Sequence, residues 1–181
     1  MHNVMILGAG RMGTLTAYQL AATGDYQILL IDIAKPEAQL AQVLDQQTNI
    51  QFETTDVTDN AALLDKISAN TISSIISCLP FYCNRAIIEL AAKQDLNYFD
   101  LTEDTESSEL VWQLAKDKTS AFVPQCGIAP GFINIIANHL IEQFKTVDDV
   151  KLCVGALPLQ TSNPLQYALT WSTDEIGRAH V

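Results

Sequence analysis

The feature that most constrains this chain is Gly8-Ala9-Gly10-Arg11-Met12-Gly13, a G-x-G-x-x-G placed directly after an apolar run, Val4–Leu7. A helical pattern follows over Thr14–Thr23, with Leu15, Tyr18 and Ala22 at helical spacing. Gly24 closes it, as a C-terminal glycine should. Gln27–Asp32 (QILLID) then reads as a second buried strand, and its last residue, Asp32, lies 19 positions after Gly13. A G-x-G-x-x-G alone is weak. Strand, glycine turn, helix, strand and terminal acid together form the dinucleotide-binding fingerprint.

The chemistry explains the residue types. Gly8 allows the tight turn, Gly10 lets a pyrophosphate approach the backbone, and Gly13 lets the helix pack close. The helix start at Arg11 and Met12 offers free N–H groups and a positive dipole end to phosphates. Arg11 reads either as a phosphate contact or as a solvated charge. Asp32 is placed to accept hydrogen bonds from the adenosine ribose and would repel a 2′-phosphate. NAD is therefore expected over NADP, with Lys35 nearby as a softening charge.

Strand and helix patterns continue to alternate. Ile50–Thr54 reads as a third strand, and Asp59 is placed to cap a helix over Asn60–Ala69. Thr71–Cys78 is a fourth strand before Leu79-Pro80, and a helix follows over Asn84–Gln94. Asn97–Leu101, a helix over Ser107–Lys118, and Ala121–Pro124 complete the series. Six strands with intervening helices imply an α/β fold with a doubly wound parallel (Rossmann) sheet, ordered 3-2-1-4-5-6.

Composition limits the partners. The 181 residues are 48% hydrophobic and 17% charged, enough apolar material for a core. Acidic residues outnumber basic ones 21 to 10, and the formal net charge of -11 argues against nucleic acid or an anionic membrane as a partner. No apolar run is long enough to cross a bilayer. The start of the chain lacks a basic leader pattern, so a soluble, cytoplasmic protein is expected. Cys78, Cys83, Cys126 and Cys153 lack zinc spacing and read as thiols. No metal site is expected.

In such sheets ligands lie across the carboxyl ends of the strands. The candidates there are Asp32, Asp56, Cys78-Leu79-Pro80, Asp100-Leu101-Thr102 and Gln125-Cys126-Gly127. Asp56 reads either as an adenine contact or as a cap for the next helix. Cys78 reads more simply as a packing residue than as a reactive thiol. Asp100, a carboxylate directly after a buried strand, must be solvated or engaged, and a site role is favoured.

The stretch Pro124-Gln125-Cys126-Gly127-Ile128-Ala129-Pro130-Gly131-Phe132 resembles the saccharopine dehydrogenase and lysine dehydrogenase family, where a G-x-x-P-G turn leaves the dinucleotide domain. Val154-Gly155-Ala156-Leu157-Pro158 and Tyr167-Ala168-Leu169-Thr170-Trp171-Ser172 resemble later family segments. The resemblance implies an NAD(P)-dependent oxidoreductase acting on the C–N bond of an amino acid, working as a homodimer. It implies that substrate lies near Ser77–Pro80, Asp100 and Cys126. Asp100 would hold the substrate ammonium group, and Cys126 would border nicotinamide and substrate. Two other classes share the opening motif: a nucleotide-sensing module of the potassium-channel type, and a homoserine- or semialdehyde-type dehydrogenase.

The expected organisation is a dinucleotide-binding domain over residues 1–125 and the start of a truncated substrate domain over 126–175. Pro130-Gly131 is expected to start a helix that buries Phe132, Ile135, Ile136, Leu140 and Phe144, with His139 at its boundary. Val150–Gly155 is expected to open the second domain as a strand. Apolar surface over Gly131–Ser172 would then await the remainder of that domain. The tail Ile176–Val181 departs from the family. It matches a translated sequencing adapter, ATC GGA AGA GCA CAC GTC TGA, through the stop codon, and is expected to be an assembly artefact. Such a chain would bind the dinucleotide without turning substrate over.

Overall fold

The computed structural model describes residues 1–155 and Pro164. Twelve elements alternate along the chain: β1 (His2–Leu7), α1 (Arg11–Ala22), β2 (Tyr26–Asp32), α2 (Ala38–Leu44), β3 (Ile50–Thr54), α3 (Asn60–Ala69), β4 (Ser74–Ser77), α4 (Phe81–Gln94), β5 (Asn97–Asp100), α5 (Thr105–Ala115), β6 (Phe122–Val123) and α6 (Phe132–Ile141). The six strands form one parallel sheet in the order β3-β2-β1-β4-β5-β6, as expected. β1 and β4 lie side by side at the point where the strand order reverses, with Leu7 opposite Ser77.

Both faces of the sheet are covered, as a parallel sheet requires. Met5, Leu7, Leu29, Ile31, Ile75 and Tyr98 pack on one face with Leu63, Ile87, Ile88 and Val111 from the helices. Val4, Ile6, Ile28 and Leu30 pack on the other with Ala9, Ala17 and Ala21.

Three readings of the sequence need correction. The inner face of α1 is Gly13, Thr14, Ala17 and Ala21, whereas Leu15 is 47% exposed. A helix held this close to a sheet has room only for small side chains. The fourth strand begins at Ser74, because Thr71 turns with φ +50° and the Ile72 N–H bonds to the Ile67 carbonyl to close α3. Helix α2 was not foreseen. It is short, and only Leu44 of it is buried.

Past β6 the expectations divide. α6 forms where a helix was expected, but its apolar stripe is unburied: Phe132, Ile135 and Phe144 are each at least 60% exposed, and His139 is exposed too. Residues 150–155 form no strand. No strand lies beside them among the described residues, and an unpaired strand leaves its N–H and C=O groups without partners. The segments expected at Ala156–Pro158 and Tyr167–Ser172, and the tail Ile176–Val181, lie outside the described residues.

Candidate dinucleotide and substrate site

The glycine turn is built by exclusion. Gly8 adopts φ +98°, and a Cβ there would sit 2.8 Å from the Cys78 carbonyl oxygen. A Cβ on Gly13 would sit 1.8 Å from the Gly8 carbonyl oxygen, so α1 rests directly on the turn. Gly10 is different: a Cβ there meets nothing within 4 Å. Gly10 thus leaves one side of the turn open, while Gly8 and Gly13 make the turn itself. Thr14, not singled out from sequence, donates its hydroxyl to the Ala9 carbonyl at 3.2 Å and braces the turn from inside.

Asp32 ends β2 beside this turn. Its Oδ2 accepts the Ala9 N–H at 2.6 Å, and its Oδ1 accepts the Ala34 N–H at 3.2 Å. A cleft of about 310 Å³ opens here, lined by Ala9, Gly10, Arg11, Asp32, Lys35 and Glu37 among others. Two cations and two carboxylates share its wall. Met12 stands exposed on the first turn of α1. A groove of about 220 Å³ at the opposite ends of the strands, lined by Asn3, Gln27, Gln51 and Asn70, lies away from the turn.

Asp56 is exposed. It accepts the Thr58 N–H at 2.9 Å and the Thr58 hydroxyl at 2.7 Å, and these two bonds hold its carboxyl below the usual range. It closes a turn before α3, whereas the cap of that helix is Asp59, which accepts the Ala61 and Ala62 N–H groups. Capping therefore falls to Asp59 and leaves the Asp56 carboxylate facing solvent beside the carboxyl end of β3.

At the end of β4, the Cys78 N–H bonds to the Leu7 carbonyl at 2.8 Å. Burial pushes the Cys78 thiol up to about 11, partly offset by a hydrogen bond from Thr16, so it packs as a neutral group. Leu79 packs partly against the core, and Pro80 caps α4. Beside them, Ser77 donates to Asn84 Oδ1 at 2.6 Å, with both residues buried. This pair ties the strand end to the first turn of α4. A polar Asn inside an apolar helix face was the available signal for it.

Asp100 is fully buried at the end of β5. Its Oδ2 accepts the Tyr98 hydroxyl at 2.8 Å, and its Oδ1 accepts the N–H groups of Thr102 at 3.1 Å and Gln125 at 3.0 Å. Burial raises its carboxyl above the usual range despite these donors, which pull the other way. Its backbone carbonyl accepts the Cys126 N–H at 2.7 Å. Cys126 itself is exposed, and its thiol is raised first by burial and then by the Asp100 charge. The structure thus joins Asp100 and Cys126, the two substrate-side candidates, through one main-chain bond.

The turn after Cys126 is tight. Ala129-Pro130 is cis, Gly131 has φ +125°, and a Cβ on Gly131 would lie 2.3 Å from the Gly127 carbonyl oxygen. Among the described residues, no group of His, Cys, Asp and Glu could hold a metal ion.

A doubly wound sheet with an open glycine turn and a terminal acid defines a nicotinamide-dinucleotide-binding domain. Residues 4–123 match the saccharopine dehydrogenase NADP binding domain, and the chain belongs to that family. A curated relative, saccharopine dehydrogenase [NADP(+), L-glutamate-forming] of Pyricularia oryzae, is 24% identical over 177 residues. The match covers 94% of this chain and 38% of that protein. The apo saccharopine dehydrogenase (L-Glu forming) of Saccharomyces cerevisiae superposes with a TM-score of 0.65 at 20% identity, over 79% of this chain and 31% of that one. The NAD complex of a dTDP-glucose 4,6-dehydratase from Bacillus anthracis superposes with a TM-score of 0.57 at 14% identity, over 68% of this chain and 54% of that one. These structural likenesses carry the fold. The chain therefore spans less than two-fifths of the saccharopine dehydrogenases it matches.

Proposed function

We propose that this chain binds NAD across the carboxyl ends of its strands, as the dinucleotide part of a dehydrogenase that acts on the C–N bond of an amino acid. The pyrophosphate lies over Gly10, whose open side meets no protein atom within 4 Å. The helix start at Arg11 and Met12 faces it, and the adenosine ribose lies in the cleft at Asp32. The bound dinucleotide supplies hydride transfer. The protein supplies position: β1 and α1 for one half, and the ends of β4 and β5 with the Gln125–Gly131 turn for the other.

The observation that carries this reading is the pairing of an open Gly10 with Asp32 against the turn. The names of the family and of the curated relative carry NADP. In this chain a 2′-phosphate would meet the Asp32 carboxylate and, on the same wall, Glu37. Repulsion between unit charges about 4 Å apart is about 1 kcal/mol even in water-like surroundings, or roughly five-fold in affinity. Lys35 and Arg11 offset part of it. Calorimetric titration of the purified chain should give tighter binding of NAD than of NADP, with the gap narrowed by Asp32→Ser. Tighter binding of NADP would overturn the assignment at Asp32, and no binding of either would overturn the whole reading.

The substrate is an amino acid carrying a secondary or primary amine, of the saccharopine or lysine kind, and the working protein pairs with a second copy. At the substrate half of the described site, Asp100 is closed off and Cys126 holds its proton at neutral pH. Neither is placed as an accessible base. The 181-residue chain is expected to oxidise neither lysine nor saccharopine, and NADH formation with either would contradict this.

A further inference from the structure

We infer that Asp100 is a positioning residue: its carboxylate holds Gln125 in a left-handed backbone conformation and so sets the turn that frames the substrate side of the site. The inference rests on the proposed dinucleotide reading, which places substrate at this end of the sheet.

Three observations support it. First, Gln125 has φ +62°, a conformation that non-glycine residues seldom adopt without outside support. Second, the support is visible: the Asp100 Oδ1 receives the Gln125 N–H, the Asp100 carbonyl receives the Cys126 N–H, and Gln125 Nε2 reaches the Ser108 hydroxyl at 3.3 Å. Two consecutive residues of the turn hang on one residue of β5. Third, the carboxylate has no exposed surface and already serves three donors, so it is not available to a substrate ammonium group.

A bond from a backbone N–H to a carboxylate is stronger than one to a neutral acceptor. The charge is held in place by Tyr98, whose own hydroxyl is pushed far up by burial and by Asp100 and therefore stays a donor. The other ionisable groups facing Asp100 are Asp104 and Cys126, and neither is a cation. Asp100 thus depends on its hydrogen bonds, and the turn depends on Asp100.

The test is amide NMR on the 181-residue chain. The Gln125 and Thr102 amide protons should shift together as the Asp100 carboxyl titrates, and both shifts should vanish in Asp100→Asn. That variant keeps the acceptor oxygen, so slow exchange at Gln125 and Cys126 should survive. Asp100→Ala should speed exchange at Gln125 by about tenfold or more, the loss expected for a bond to a charged acceptor, and should speed Cys126, whose acceptor is the main-chain carbonyl of residue 100, only through relaxation of the turn. Gln125→Gly in the Asp100→Ala background should restore protection at Cys126, because glycine adopts positive φ freely and the main-chain acceptor at residue 100 is still present. A Gln125 amide that ignores the Asp100 titration would overturn the inference, as would unchanged exchange in Asp100→Ala. Should Asp100→Ala fail to fold, the titration and Asp100→Asn still decide the question. An NAD titration of the same sample separates the two readings: absent NAD binding removes the functional reading, while a silent Gln125 amide removes this one.

Discussion

The Asp32 carboxylate receives the Ala9 N–H at 2.6 Å, so the end of β2 is bonded to the turn that leaves β1. The two elements expected to hold opposite ends of an adenosine diphosphate are thereby joined before any ligand arrives. Loss of this bond should loosen the turn as well as the ribose site. Asp32→Ala is expected to lower both NAD affinity and melting temperature, whereas Asp32→Asn, which keeps an acceptor, should lower affinity more than stability. Calorimetry and thermal melts on the two variants check this.

The three glycines of the turn should separate stability from binding. Gly13→Ala puts a methyl group into the Gly8 carbonyl and should destabilise by about 3 kcal/mol or more, since backbone cannot yield cheaply. Gly10→Ala meets no protein atom, should leave the melting temperature within a few degrees, and should weaken NAD binding at least about tenfold. Equal effects of both substitutions on stability would contradict the division.

The pH dependence of Asp100 has a definite sign. Its folded carboxyl is raised by burial, so its contribution to stability is fully present below the unfolded value and is lost as pH rises through the folded one. Urea unfolding of the native chain and of Asp100→Asn should therefore diverge as pH rises above about 4, the ordinary carboxyl value. The native chain should lose stability relative to the variant in that range. A difference independent of pH would show that the carboxyl is not perturbed.

The cysteines should label in order of exposure. Cys153 and Cys126 are exposed, whereas Cys78 is largely enclosed with its thiol raised to about 11. At pH 8 a maleimide should modify Cys153 and Cys126 first and Cys78 last. Peptide mapping of a time course reads this directly, and early modification of Cys78 would mean that the contact between the glycine turn and β4 opens in solution.

Asp59 provides a simple calibration. It caps α3 through two backbone N–H groups at 3.1 and 3.0 Å, and Asp59→Ala should cost about 1 kcal/mol. Chemical unfolding measures it.

Most of the dinucleotide half was legible because most of its elements, α2 excepted, follow from local rules. β3 and α3 fall where periodicity and the Asp59 cap place them, and the strand order follows from right-handed crossovers. Errors arose where neighbours decide. Leu15, Tyr18 and Ala22 mark the helical spacing of α1, but Gly13 brings the helix so near the sheet that Ala17 and Ala21 take the inner face. The spacing on α6 correctly marks an apolar stripe, yet spacing says nothing about what covers it. Asp100 was read as solvated or engaged, with a site role favoured, but one of its three donors, the Gln125 N–H, lies 25 residues away and carries no side-chain signal. The left-handed Gln125 could not be read at all, because glycine, the usual mark of that conformation, is absent there.

The buried Ser77–Asn84 bond has a mechanical consequence. Sliding α4 along β4 by a single turn would strand a hydroxyl and an amide in an apolar layer, a cost of about 1–3 kcal/mol for each group. The bond therefore acts as a detent, and the short link through Leu79 and Pro80 has no slack to lengthen. The register of α4 on β4 is thereby preset, and Tyr82, 66% exposed on the first turn of that helix, is held at a fixed height above the strand end.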